Sequence, residues 1–130
     1  MEARPAAGPF AFRREAAADP HERIWLLDVQ GRAVGRCRTA PASASGDDGD
    51  LGTRAAVILE LAIDPGHRRR GLGRRLIGHA VNDLLVRSHA PVLAWVDGGD
   101  PGALAFLGRH GFRPDGTARP DGAVRVVRRR

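Results

Sequence analysis

Asp64-Pro65-Gly66-His67-Arg68-Arg69-Arg70-Gly71-Leu72-Gly73-Arg74-Arg75 is the stretch that decides the fold. It follows an apolar run, Ala55-Ala56-Val57-Ile58-Leu59-Glu60-Leu61-Ala62-Ile63, whose content predicts a buried strand. It precedes Leu72, Leu76, Ile77, Ala80, Val81, Leu84 and Leu85, which fall on one face at helical spacing. Five arginines and no acid therefore occupy residues 66–75, where a strand turns into a helix. A helix N-terminus exposes free N–H groups and carries partial positive charge, so cations are disfavoured there. Crowding arginines onto it makes physical sense when an anion sits among them. The glycines at 71 and 73 let backbone amides approach that anion closely. This is the chemistry of a pyrophosphate site.

Spacing selects among pyrophosphate loops. A Walker loop requires Gly-x-x-x-x-Gly-Lys-Ser/Thr, and the chain has no lysine. A dinucleotide fingerprint requires a third glycine three positions after Gly73, where Leu76 stands. Arg-x-x-Gly-x-Gly does match, as Arg68, Gly71 and Gly73. With Leu61-Ala62-Ile63-Asp64-Pro65 upstream, the segment resembles the acetyl-CoA motif of the GNAT superfamily of N-acetyltransferases. The resemblance implies that the loop amides hold the pyrophosphate of acetyl-CoA. It assigns cofactor contacts to Leu61, Ala62, Ile63, Arg68, Arg69, Arg70, Gly71, Leu72, Gly73 and Arg74.

A second segment matches downstream. Val92–Val96 reads as a strand, Asp100-Pro101 as an N-cap and first helical residue, and Gly111 as the glycine that ends the helix. The family pattern Asn-x-x-Ala-x-x-Phe-Tyr-x-x-x-Gly-Phe appears here as Asp100, Ala103, Phe106, Leu107, Gly111 and Phe112. The resemblance adds Asp100, Ala103 and Phe106 to the cofactor contacts, although Asp100 has its own explanation as an N-cap. Asp stands for the usual Asn, and Leu107 for the usual Tyr. The likeness runs from about Ile24 to the C-terminus.

Length and composition fit one domain over residues 1–130: 42% of the residues are hydrophobic, enough for a single core. Residues 1–9 read as a flexible arm without the apolar stretch of a signal peptide, and no run approaches a membrane span. Cys37 is the only cysteine, which excludes an intramolecular disulfide and suits a cytoplasmic setting. The net charge of +6 is concentrated in the loop and at the C-terminus, so a nucleic-acid coat is not expected. No His/Asp/Glu cluster has metal-ligand spacing.

The expected fold class is α/β. A mixed, largely antiparallel sheet surrounds a central strand–pyrophosphate loop–helix crossover, with two main helices. Strands are expected at Phe10–Arg13, Glu22–Asp28, Ala33–Arg38, Ala55–Ile63, Val92–Val96 and Ala123–Val127, with another beginning at Phe112. Residues 41–52 read as a mobile loop, and residues 14–21 leave room for one or two helical turns. The family usually places two helices there to shape the acceptor pocket, so an open acceptor side, or one covered by a second subunit in a homodimer, is expected. Trp25 and Trp95 are expected in the core, and the C-terminal arginines, Arg125 included, as a solvated end.

The resemblance implies direct attack of a primary amine on the acetyl-CoA thioester. A backbone N–H near Ala62 and Ile63 would be the oxyanion donor, with Ile63 the candidate. Glu60, the only carboxylate in the buried strand, is the candidate general base, acting directly or through water; the alternative is that it faces solvent or pairs with an arginine. The family's tyrosine acid has no counterpart, because the chain contains no tyrosine. His110 reads as a helix-end residue and Cys37 as a small packed one. Two other readings stay open: a CoA-binding sensor or interaction module that transfers poorly, and a basic nucleic-acid-binding module.

Overall fold

The computed structural model describes residues 10–42, 48–68 and 70–130. The expected arm at 1–9, part of the expected loop (43–47) and Arg69 lie outside the described residues. In chain order the elements are β1 (Phe10–Glu15), β2 (Arg23–Val29), β3 (Arg32–Pro41), β4 (Ala56–Ile63), α1 (Leu72–Val86), β5 (Val92–Asp97), α2 (Pro101–Gly108), β6 (Arg113–Ala118) and β7 (Ala123–Arg128). Gln30 and Gly31, with φ of 52° and 78°, make the tight turn that joins β2 to β3. Between β1 and β2, where the sequence leaves room for one or two helical turns, a single turn forms, closed by the Glu22 amide donating to the Asp19 carbonyl at 3.1 Å. There Asp19 spends its side chain accepting from the His21 amide, an Asx turn that competes with helix.

The seven strands lie in the order β1-β2-β3-β4-β5-β7-β6, and only β4 and β5 run parallel. That parallel pair requires a crossover, which α1 supplies. The expected apolar stripe is realised: Leu72, Leu76, Ile77, Ala80, Val81 and Leu84 are buried against the sheet. Burial of each large side chain contributes roughly 1.5–3 kcal/mol. Gly35 is what lets α1 sit so close. A Cβ there would meet Ile63 Cδ1 at 2.7 Å and Leu76 Cδ2 at 3.2 Å.

Two departures from regular pairing shape the middle of the sheet. Ile58 pairs with Thr39 and Glu60 with Arg38, so Leu59 is an extra residue, a β-bulge. The bulge resets the alternation: Ile58 and Leu61 both pack with the α1 core, while Glu60 meets arginines on the other face. In addition, β5 pairs with β4 only at Ala56–Val92, Val57–Leu93 and Ile58–Ala94. Beyond Ala94 it pairs only with β7, leaving β4 without a neighbour on that side.

The opposite face of the sheet carries a smaller core of Ala40, Ala42, Ala55, Val57, Leu93 and Val127. It overturns the expectation of a solvated C-terminal end. Arg125 is no solvated end; it is 2% exposed. It bonds Asp48 at 3.1 Å, Asp50 at 2.7 Å and Asp115 at 2.7 Å. The segment expected to be mobile is anchored at both sides of the undescribed stretch: Pro41 ends β3, Ala42 is buried, and Asp48 is 1% exposed. A buried guanidinium needs carboxylates, and the loop provides two of them. Trp95 and Trp25 are half-buried at the rims. The indole N–H of Trp95 reaches Asp48 at 3.4 Å, and that of Trp25 reaches Asp83 at 3.4 Å. Among the described residues, no helix is long and apolar enough to cross a membrane.

Removing Arg125 should therefore unlatch this face. Arg125→Met leaves Asp48 buried without its cation, and losses of about 3–5 kcal/mol follow from breaking such a pair. Urea unfolding would report this, and a loss under about 1 kcal/mol, the scale of an exposed pair, would show that the cluster is not a latch. Hydrogen bonds from Arg125 hold the Asp50 carboxyl below its ordinary value. Burial alone would raise Asp115, but bonds from Arg125 and Thr117 outweigh it and lower that carboxyl too. Their contribution is thus complete above the unfolded carboxylate value of about 4 and is lost as pH falls through the lower folded values. The wild type should lose stability in acid more steeply than Arg125→Met.

Candidate active site

The site is built where β4 ends and α1 begins. Gly71 is the N-cap of α1 with φ of 76°, a conformation that suits glycine, and no side chain caps the helix. No acid lies in the first turn of α1. The first amides of α1 are therefore left to face whatever enters the loop. Arg68 folds back so that its Nε donates to the Ile63 carbonyl at 3.2 Å.

These groups border a groove of 1100 Å³. It is lined by Leu61, Ala62, Ile63, Arg68, Gly71, Gly73, Arg74, Phe106, Arg109 and His110. Eight of these were expected from the sequence; Arg109 and His110 were not. A Cβ on Gly73 would lie 3.6 Å from the Phe106 ring and 3.7 Å from Ile63, so the absence of a side chain keeps the groove open. A second groove of 380 Å³ shares Leu61 and Phe106 with the first and fills the gap between β4 and β5. Leu59, Glu60, Trp95, Asp97, Ala103 and Leu107 line it.

The gap also exposes backbone. The Asp64 amide donates to Val34 of β3 at 2.8 Å, and strand N–H groups alternate in direction. The amides of Ile63 and Leu61 therefore point away from β3, into the space that β5 has left. A carbonyl oxygen placed there would meet ready donors.

Some expected residues lie elsewhere. The Leu72 side chain is buried in the core, so only its backbone can serve the loop. Arg70 is exposed and outside both groove linings. Asp100 caps α2, accepting from the Ala103 amide at 3.0 Å, and also lies outside both linings. Glu60 accepts from Arg36 Nε at 3.2 Å and Arg38 Nε at 3.4 Å, the structural pairing weighed as its alternative. Its side chain is 39% exposed and still borders the gap.

His110 is more than a helix-end residue. It stands against Phe106, with centroids 4.9 Å apart, on the groove wall. Burial, and then the charges of Arg109, Arg74 and Arg128, push its imidazole below the ordinary value. Cys37 is buried, and burial, aided by the Glu60 charge, pushes its thiol up to about 12, which makes it inert as a nucleophile. Among the described residues, no His/Cys/Asp/Glu group could hold a metal ion. Asp97, at the open end of β5, was not singled out from the sequence, because only the parting of the strands brings it to the gap.

Residues 2–112 match the acetyltransferase (GNAT) family. The mycothiol acetyltransferase of Clavibacter michiganensis subsp. michiganensis is 36% identical over 87 residues, covering 67% of this chain and 25% of that protein. The chain spans between 18% and 25% of the length of the mycothiol acetyltransferases it matches. An acetyltransferase structure from Thermus thermophilus superposes with a TM-score of 0.70 at 26% identity, over 87% of this chain and 67% of that one. A GNAT family acetyltransferase from Elizabethkingia anophelis, solved with acetyl-CoA bound, gives a TM-score of 0.75 at 9% identity, over 94% and 99%. At that identity the likeness is one of fold.

The two loop glycines should separate by experiment. Gly71→Ala forces a side chain into a left-handed conformation, at about 1–2 kcal/mol. Gly73→Ala places a methyl group at ordinary contact distance and improves helix propensity by up to about 1 kcal/mol. Urea titrations should show the first variant weakened and the second unchanged or stronger. Equal losses would contradict the separation of a conformational role at 71 from an access role at 73.

Proposed function

The chain belongs to the GNAT acetyltransferase family, and we propose that it transfers the acetyl group of acetyl-CoA to a primary amine by direct attack. The observation that carries this reading is continuity: an uncapped, arginine-rimmed helix N-terminus opens directly onto a gap between parted strands. Free amides and guanidinium groups with no lining carboxylate fit a pyrophosphate. The strand edge at Leu61–Ile63, with its unpaired amides, fits the amide-bearing pantetheine arm.

Acetyl-CoA supplies an activated thioester. The amide of Ile63 or Leu61 donates to the carbonyl oxygen as negative charge develops on it. The amine nitrogen forms the new C–N bond, the C–S bond breaks, and the sulfur leaves as thiolate. Glu60, held on the gap by Arg36 and Arg38, receives the ammonium proton through water. Leu107 occupies the position of the family's phenol and offers no proton, so water protonates the thiolate. Forgoing a general acid sacrifices a factor of roughly 10²–10⁴, which a good leaving group tolerates.

That leucine is also the specific observation behind a second reading, a CoA-binding sensor that transfers poorly. Calorimetry and thermal unfolding with acetyl-CoA test what the two readings share. Ligand at a hundredfold excess over Kd stabilises a fold by about 2.7 kcal/mol, so Tm should rise clearly. No heat and no shift would reject both. Release of CoA in the presence of a panel of amines then separates them: turnover with any amine supports the enzyme, and binding without turnover supports the sensor.

Glu60→Gln keeps the shape and removes the base. We expect turnover to fall about 10²-fold with acetyl-CoA affinity little changed. An unaltered rate across pH would remove Glu60 from the mechanism.

A further inference from the structure

A small cavity of 110 Å³ lies at the opposite end of α1 from the pyrophosphate loop. The helix has 15 residues, so its two ends stand roughly 22 Å apart at the helical rise. The cavity shares no lining residue with either groove of the candidate active site. Arg14, Arg23, Arg87, His21 and His89 bring five basic side chains to it. Among the described residues Glu22 is the one carboxylate in its lining, and Glu22 is engaged by Arg38 at 2.9 Å.

Local structure does not account for this gathering. A helix C-terminus favours a cation, which explains Arg87, the residue after Val86. Arg14 and Arg23, however, arrive from β1 and β2. Asp83 pins two of the three guanidinium groups side by side: Arg23 Nη1 meets it at 3.1 Å and Arg87 Nη2 at 3.0 Å. Each of those two forks keeps further N–H donors. Burial, and then the charges of Arg87 and Arg14, lower the Arg23 guanidinium from its ordinary value, and Asp83 does not offset them. A separate observation points to a ligand. Thr39 lines the same cavity, is 1% exposed, and its hydroxyl has no hydrogen-bond partner. Buried hydroxyls are ordinarily paired, because an unpaired one loses its hydration without return.

We propose that this cavity binds a compact tetrahedral oxyanion of the phosphate class, held by Arg14, Arg23 and Arg87 with the Thr39 hydroxyl donating to one of its oxygens. Planar guanidinium forks match the geometry of such an anion. At 110 Å³ the space suits a single small ion rather than a nucleotide. Thr39 faces Ile58 immediately beside the bulge at Leu59. The bound anion therefore ties β1, β2, β3 and the end of α1 together, next to the irregularity that turns Glu60 to its own face. This site is separate from the cofactor groove and would stand without it.

Titration of the full chain with inorganic phosphate at constant ionic strength, followed by its backbone amide signals in NMR, tests this. The amides of Arg14, Arg23, Thr39 and Arg87 should shift together and saturate. Signals of the pyrophosphate loop report any phosphate taken up there, and Arg74→Ala should leave the response of the cavity unchanged. Arg14→Gln and Thr39→Val should each weaken that response about tenfold, the worth of a hydrogen bond to a charged group. Arg14 is exposed and makes no hydrogen bond or ion pair among the described residues, so its replacement does not threaten the fold and decides alone if Thr39→Val does not fold. Arg54→Ala, an exposed arginine outside the cavity, controls for diffuse charge and should change nothing. No shift at the cavity amides, shifts confined to the loop, or an equal response to chloride would overturn the inference. So would unchanged affinity in either folded variant, or an Arg54→Ala loss as large as that of Arg14→Gln.

Discussion

Three residue pairs, Ala56–Val92, Val57–Leu93 and Ile58–Ala94, are all that join β4 to β5. A sheet that stays paired buries its backbone donors and acceptors in its own ladder; one that parts must leave them for something else. Here the parting coincides with the bulge at Leu59, which bends β4 and changes which side chains face α1. Because β5 is held on its other side by β7 along its whole length, it does not collapse back onto β4. The gap is thus a product of competing pairings. Phe106 and Leu107 of α2 close one wall, and Leu61 supplies the other.

Charge is sorted around that gap. On the face away from α1, Arg36 and Arg38 are tied to Glu15, Glu22 and Glu60. At the far end of α1, Arg23 and Arg87 share Asp83. The arginines on the groove, Arg68, Arg74 and Arg109, make no ion pair with an acid among the described residues. A protein of net charge +6 could have scattered its surplus. Concentrating it at a helix N-terminus, where it is locally unfavourable, raises the attraction of that end for a phosphate.

Behind the sheet, the Arg125 cluster solves a different problem. The core on that face is small and built largely from alanine and valine, and no helix covers it among the described residues. The segment Gly49–Leu51 lies over it, held through Asp48 and Asp50 to the guanidinium of β7. Ionic latching substitutes for the apolar area that a helix would have buried. Such a latch also fixes β7, and β7 holds β5 away from β4. The open gap on one side and the buried arginine on the other belong to one arrangement.

The sequence by itself determined the elements, the strand–loop–helix unit and the nature of the anion it suits. Those properties are local: apolar runs, helical spacing, a glycine at the N-cap and the cation count of one loop are all read along the chain. It also placed most of the groove, because Leu61–Ile63, Gly71–Arg74 and Phe106 sit on elements that are themselves legible. Tertiary structure alone decided that Leu59 is a bulge, that β5 leaves β4 after Ala94, and that Asp97 comes to the gap. It alone made Arg125 a buried latch and gave His110 and Arg109 to the groove. Each of these depends on partners far away in sequence, Asp48 lying 77 residues from Arg125 and Thr39 facing Ile58 across the sheet. Periodicity records which face a residue takes when its strand stays regular and fully paired. It carries no signal for where pairing fails, and in this protein pairing fails at the candidate active site.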